Sequence, residues 1–300
     1  QAHQGQSGVD QFQYEACDVD GDCVWETIRV TVVPNRPPTA VDDWVEGPPG
    51  AVRTVDVVAN DTDPDNDPLE LVEITMPPDP YAQASIVNGQ IRVDLSNRTN
   101  PPQHRNTEII GYRVCDPDGL CTQGKLIVRL VRRWDTGSAS PTITPGGWWG
   151  ADPLNNGRNF TTSDPISGSG GNEEVYQSEQ YGPSPDDDNQ RPRSYGYEFQ
   201  VSPGRWGVRL HFAEIWWNAN GQRVFDILIE GEQKLEDLDI HALVGHDAAH
   251  REAFDVSVAD GNIIIRFDAS IDNASIVGIE LIPMHETLFE VATRQGTKPR

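Results

Sequence analysis

Adjacent indoles at Trp216 and Trp217 close an alternating run, Val208-Arg-Leu-His-Phe-Ala-Glu-Ile215, and open a polar turn, Asn218-Ala-Asn-Gly221. Successive side chains on a strand point to opposite faces, so one core cannot hold both rings while the chain stays in the sheet. At least one indole is expected to face solvent, where a flat aromatic suits the apolar face of a sugar ring. The competing role is a tryptophan that seals the sheet end. A second candidate is Asn60-Asp-Thr-Asp-Pro-Asp-Asn-Asp-Pro68, which packs Asp61, Asp63, Asp65 and Asp67 into seven residues. Such carboxylates repel unless solvated or bridged, and a hard cation such as calcium, which takes six to eight oxygens, relieves the repulsion. It is not an EF-hand, because Asn66 stands where the sixth-position glycine belongs and Val72 where the twelfth-position Glu belongs. A solvated acidic loop is the alternative.

Enzyme chemistry finds less support. His246-Asp-Ala-Ala-His250 imitates a zinc-protease motif with Asp in place of the general-base Glu. That chemistry needs a helix to present both imidazoles on one face, and this segment returns to a strand pattern by Phe254. A glycosidase needs two opposed carboxylates, which so acidic a sequence offers without singling out a pair. Neither a Gly-x-Ser-x-Gly elbow nor a phosphate loop occurs. The chain is therefore expected to be non-catalytic.

Composition narrows the setting. Against 23 Lys and Arg stand 47 Asp and Glu, a net charge of −24. That excess disfavours nucleic acid, whose binding requires clustered cations to release counterions, and favours a cation partner. No run approaches the ~18 apolar residues of a membrane span, and the first eight residues lack the blocks of a signal peptide. The chain is expected to be a piece of a longer exported protein. Its four cysteines fall as Cys17-x5-Cys23 and Cys115-x5-Cys121, each pair bracketing an Asp-Gly turn. Asp-Gly between strands signals a hairpin, which brings the thiols across from one another. Two local disulfides are expected, and with them an oxidising, extracellular compartment. Half a zinc site is the alternative for each pair, although no His lies beside them.

The elements that must position these groups read as strands throughout. Tyr14 to Cys23 repeats as Tyr112 to Cys121 at an offset of 115 − 17 = 98 residues, the period of tandem domains. Residues 1–34 read as the tail of one repeat, too short for a core of its own, leaning on the next domain or deprived of upstream partners. Residues 35–132 read as a complete copy, with strand candidates such as Thr54–Val58, Ser85–Val87, Gln90–Asp94 and Leu126–Leu130. Residues 133–284 open with a loop-rich stretch around Gly146–Gly150 and settle into long alternating strands. The fold class is all-β: tandem β-sandwiches, the second of jelly-roll type, with an unassigned tail at 285–300.

Two resemblances sharpen this. Pro34-Asn-Arg-Pro-Pro-Thr-Ala-Val-Asp-Asp43, Val58 to Asp65 and Tyr112 to Cys121 resemble the cadherin-like and Ig-like tandem repeats of bacterial surface proteins. The resemblance implies calcium stiffening a stalk, with Asp61, Asp63, Asp65 and Asp67 as ligands and Asp42, Asp43, Asp116 and Asp118 as weaker candidates. Further on, Val175-Tyr-Gln-Ser-Glu-Gln-Tyr181, Tyr195-Gly-Tyr-Glu198, Leu210-His-Phe-Ala-Glu-Ile215, Gln222 to Ile227, Leu238-Asp-Ile240, Val244 to His250 and Ile271-Asp-Asn-Ala274 look like successive blocks of a malectin domain. Malectin domains are β-sandwich lectins whose animal member binds α-linked diglucose. The resemblance implies oligosaccharide or polysaccharide binding, with Phe160, Tyr181, Trp216 and Trp217 as stacking plates and Asp272 as hydroxyl acceptor. Tryptophans here replace smaller aromatics, and an Asp- and Pro-rich insertion follows Pro183. Tyr176 is expected in the core, and Glu214 and Asp226 as structural acceptors. A structural or adhesin segment contacting protein, or an accessory module of a larger glycoside-active enzyme, is the alternative.

Overall fold

The computed structural model describes residues 7–98, 107–154, 158–183 and 194–284. The predicted tail at 285–300 and the insertion beyond Pro183 lie outside the described residues. Strands β1 (Gly8–Cys17) and β2 (Cys23–Val32) form an antiparallel hairpin joined to no other described strand. Its residues are exposed along nearly their whole length, so it does not lean on the next domain.

A complete sandwich follows, made of β3 (Asp43–Gly47), β4 (Val52–Val55), β5 (Glu70–Met76), β6 (Gln83–Val87), β7 (Gln90–Asp94), β8 (Thr107–Cys115) and β9 (Cys121–Leu130). One sheet has the order β3-β9-β8-β5, with β3 parallel to β9, and the other β4-β7-β6. Alternation explains the pairing: Ile110, Tyr112 and Val114 of β8 and Leu126, Val128 and Leu130 of β9 point inward and are fully buried. The strand expected at Thr54–Val58 starts and stops earlier. Asp56 Oδ1 accepts the Val58 amide at 3.3 Å, an Asx turn that leaves the sheet while Val57 still enters the core. Cys17–Cys23 and Cys115–Cys121 are both bridged, each pair facing across its hairpin.

The chain runs from β9 almost directly into β10 (Arg132–Asp135) and a small hairpin, β11 (Thr142–Thr144) and β12 (Gly147–Trp149), where a loop was expected. Then come β13 (Asn159–Thr161), α1 (Glu173–Tyr176), β14 (Ser178–Tyr181), β15 (Ser194–Gln200), β16 (Gly204–Ala213), β17 (Val224–Ile229) and β18 (Glu232–Leu238). The series ends with α2 (Ile240–Val244), β19 (Ala249–Val258), β20 (Asn262–Ile271), β21 (Ser275–Ile276) and β22 (Gly278–Met284). Two four-stranded antiparallel sheets, β10-β22-β16-β19 and β15-β20-β17-β18, make the second sandwich, the strand count of a jelly roll. Its core interleaves Trp206, Leu210, Phe212, Ile279 and Leu281 with Phe199, Phe225, Ile227, Ile265 and Phe267. A third sheet, β13-β14-β21, sits at one rim.

On the outward face of β16 and β22, a layer that includes Trp149 and Tyr176 encloses charged groups. Glu280 pairs with Arg133 and Arg209, each at 2.7 Å, and Arg209 reaches on to Glu46 of the preceding sandwich at 3.2 Å. Trp148 donates its amide to the Pro49 carbonyl at 3.2 Å, a second tie between the two sandwiches. Burial disfavours the Glu280 charge, yet His211 and the two arginines outweigh it and hold its pKa down at about 2, from 4.5. A depressed carboxylate contributes stability that is present above its unfolded pKa and lost as pH falls through its folded one. The loss should reach on the order of 3 kcal/mol between pH 4.5 and pH 2. Glu280→Gln should unfold in less denaturant at neutral pH and lose less on acidification than the parent; equal acid sensitivity of the two would contradict this.

Candidate functional site

The turn after β16 is held by Glu214, a carboxylate 1% exposed at the strand end. Its Oε1 accepts the backbone amides of Trp216 at 3.0 Å and Trp217 at 2.8 Å, which bends the chain out of the sheet. The problem of two neighbouring indoles is solved there: Trp216 is 53% exposed, while Trp217 is half-buried. Trp217 turns inward across the rim and donates Nε1–H to Asp272 Oδ2 at 2.7 Å. Asp272 follows β20 with φ of 55°, a left-handed conformation that Asp tolerates better than most residues.

The rim sheet supplies the rest. Phe160 of β13 lies opposite Glu179 of β14, and Tyr181 ends β14 opposite Ser275 of β21. Phe160 meets Trp216 edge-on at 4.8 Å, and Trp216 meets Trp217 edge-on at 6.5 Å. All five predicted residues, Phe160, Tyr181, Trp216, Trp217 and Asp272, therefore line one open hollow of about 410 Å³, together with Asn159, Glu179, Arg223 and Asn273. That volume lies within the roughly 300–1,000 Å³ of small-ligand sites. A larger hollow, about 720 Å³, lies between the sandwiches along Gly50–Arg53 and Ile143–Trp148, but its described lining contains no carboxylate.

Arg223, just ahead of β17, joins the two halves of the site. Its Nη1 and Nη2 donate to Glu179 at 2.9 and 3.3 Å. Its Nε lies 3.1 Å from Glu214 Oε2, close enough for the charges to attract although the angle is poor for a hydrogen bond. Burial opposes the guanidinium charge, but Glu179 and Glu214 outweigh it and raise the Arg223 pKa. Burial pushes the Glu179 carboxyl up, and Arg223 pulls against that shift. The motif reading left out Glu179, and it took Glu214 for a structural acceptor, which its bonds to the tryptophan amides bear out. The missed signal was Arg223, a charge just ahead of an apolar strand.

Other predicted groups fall elsewhere. Tyr176 is buried as expected, its hydroxyl 2.6 Å from His211 Nδ1. The His246-x3-His250 segment leads into β19 rather than a helix. His246 Nδ1 contacts the Trp217 carbonyl at 2.9 Å and His250 pairs with Glu252 at 2.8 Å. Among the described residues, the two acidic groups of ligand atoms close enough to hold an ion are Asp63, Asp65 and Asp67, and Glu15 beside the bridged Cys17 and Cys23. Asp65 is paired with Arg36 at 2.7 Å, while the inward oxygens Asp61 Oδ2 and Asp63 Oδ2 have no hydrogen-bond partner. Asp116 accepts bonds on both oxygens, from Asn35 at 2.8 Å and the Leu120 amide at 2.9 Å, as a turn residue does. Asp42 accepts the Lys125 amide at 3.1 Å, and Asp43 accepts the Tyr112 hydroxyl at 2.9 Å.

One exposed indole, Trp216, and three half-buried rings, Phe160, Tyr181 and Trp217, gathered beside Asp272 on a rigid β-sandwich have the make-up of a small-ligand site. Residues 146–286 match the malectin domain family and residues 35–129 the bacterial Ig domain family, so the chain carries a malectin domain preceded by a bacterial Ig domain. Malectin-A of Xenopus laevis is 31% identical over 164 residues, covering 52% of this chain and 55% of that protein. Malectin-B of the same frog is 32% identical over 97 residues, covering 32% of each. The chain thus spans from about a third to about half the length of these curated relatives. Among solved structures, the ANX2 ectodomain from Arabidopsis thaliana is 16% identical with a TM-score of 0.47, covering 66% of this chain and 57% of that one.

Removing one member of a buried ion network leaves the others charged and unsolvated. Arg223→Met should therefore cost about 3–5 kcal/mol in denaturant unfolding of the second sandwich. A loss below about 1 kcal/mol would show that Glu179 and Glu214 do not depend on it.

Proposed function

We propose that the malectin domain binds carbohydrate, with neutral glucan-type oligosaccharides as its ligands, and does no chemistry on them. The observation that carries this is the hollow itself, where indole, phenol and phenyl faces converge with the Asp272 carboxylate at an open rim. Aromatic faces stack on pyranose C–H surfaces, and a fixed carboxylate accepts sugar hydroxyls. Asp272 Oδ2 is engaged by Trp217 at 2.7 Å, whereas Oδ1 takes only a long bond from Asn273 Nδ2 at 3.5 Å and is the oxygen better placed to accept from a ligand. Hydrolysis needs two opposed carboxylates. In the described lining Glu179 is 1% exposed and tied to Arg223, which leaves Asp272 as the accessible one. The carboxylates Glu179, Glu214 and Asp272 outnumber Arg223, so the hollow disfavours an anionic sugar.

Two disulfides and the tandem Ig repeat support an extracellular setting, on a cell surface or secreted, as part of a longer protein. No described helix is long and apolar enough to cross a membrane. We further propose that calcium stiffens the Ig repeat through Asp63 and Asp67, with Asp61 and Asp65 beside them. The orphaned oxygens of Asp61 and Asp63 support this, as does the upward pKa shift of Asp67, driven by partial desolvation and by Asp63, Asp118, Asp116 and Asp65. A bound cation would supply the charge that lets these carboxylates stay close.

On a glycan array and by titration calorimetry, Trp216→Ala and Asp272→Asn should each weaken oligosaccharide binding by about 1 to 3 kcal/mol while the thermal unfolding midpoint stays put. A uronic-acid analogue of the same chain length should bind more weakly than the neutral sugar. Unchanged affinity in both variants would place the site elsewhere. For the repeat, added calcium should raise the unfolding midpoint and a chelator should reverse it; indifference to both would remove the cation proposal.

A further inference from the structure

The β1–β2 hairpin repeats the cross-strand register of β8–β9 at an offset of 98 residues. Cys17 opposite Cys23, Tyr14 opposite Glu26, Phe12 opposite Ile28 and Asp10 opposite Val30 match Cys115 opposite Cys121, Tyr112 opposite Gly124, Ile110 opposite Leu126 and Glu108 opposite Val128. In the complete repeat these two strands are the centre of a sheet: β3 flanks β9, β5 flanks β8, and β4-β7-β6 forms the facing sheet. Among the described residues the hairpin has neither flank nor cover. Its inward-equivalent face presents Phe12, Tyr14, Ile28 and Val30 at 52%, 44%, 41% and 44% exposure, where Ile110, Tyr112, Leu126 and Val128 are at 0%. Two bare edges and an apolar face on an isolated hairpin are an incomplete sheet, only marginally stable in water.

We propose that this hairpin is an acceptor surface for the strands equivalent to β3–β7 of a further Ig repeat, carried on the same polypeptide ahead of Gly8. Strand order argues for that source, because β3–β7 precede β8 in the complete copy. Two polar positions define the occupant further. Asp10 takes the place of Glu108, which is buried against Arg98, so the occupant brings a basic side chain to Asp10. Tyr14 takes the place of Tyr112, whose hydroxyl donates to Asp43 of β3, so the occupant brings an acceptor on its parallel edge strand. One local difference is built in. Gly124 makes room for the Tyr112 ring, since a Cβ there would lie 2.4 Å from it, whereas the hairpin has Glu26, so the Tyr14 ring takes another course.

The test is amide hydrogen exchange on the 300-residue chain and on a chimera in which a second copy of residues 35–105 is joined ahead of residue 8. In the parent chain the hairpin amides should exchange quickly at every concentration. In the chimera they should slow by at least about 100-fold, including those on the outer edges. Because the supplied half-repeat expects glycine beneath the tyrosine, the chimera is also made with Glu26→Gly. Fast exchange in both chimeras overturns the proposal. So does slow exchange in the parent, whether it rises with concentration, which assigns the face to a second copy, or does not, which assigns it to this chain's own domains.

Discussion

A buried guanidinium holding two carboxylates is the constraint on which the rim of the second sandwich depends. Arg223 draws Glu179 and Glu214 together from different parts of the fold. Glu179 fixes β14, which carries Tyr181 and pairs with the strand of Phe160. Glu214 fixes the turn that carries Trp216 and Trp217. Charges so deep are costly unless mutually satisfied, and that cost discourages alternative loop geometries that would separate them. The aromatic plates thus inherit their spacing from an ion network they do not join. Preorganisation of this kind matters for sugars, which offer weak, water-competitive contacts and cannot repay much loop ordering.

A second ion network sets the relation between the two sandwiches. Arg209 lies between Glu280 of the malectin domain and Glu46 of the Ig repeat, and the strand connection from β9 to β10 leaves almost no linker. Short connections and shared ion pairs resist relative motion more than a flexible linker would. A site on such a base is held in a set direction relative to the Ig domain before it.

Much of this was legible in the chain because it rests on local rules. Period-two alternation placed β7 at Gln90–Asp94 and put Ser85–Val87 and Leu126–Leu130 inside β6 and β9, since each sheet buries one face. The 98-residue offset gave the repeat, and the Asp-Gly turns gave both disulfides. The malectin resemblance gave five of the nine residues that line the hollow. What stayed hidden was non-local. Arg223 and Glu179 lie 44 residues apart and look like ordinary surface charges until the fold brings them together. The Trp217–Asp272 bond spans 55 residues, so its role in orienting the indole could not be read from either segment. The edge of β4 was misplaced because Val57, apolar and buried, continues the hydrophobic pattern after the backbone has already turned.

The central claim is that a sugar sits on Trp216 and Trp217 at that rim. Indole Nε1–H resonances in a ¹⁵N-labelled sample test it most directly, because buried Trp149 and Trp206 serve as internal references. Titration with a neutral α-glucan oligosaccharide should shift the Trp216 and Trp217 signals saturably and leave those of Trp149 and Trp206 in place. Four unmoved indoles across a panel of neutral oligosaccharides, or shifts confined to tryptophans outside the rim, would contradict the account.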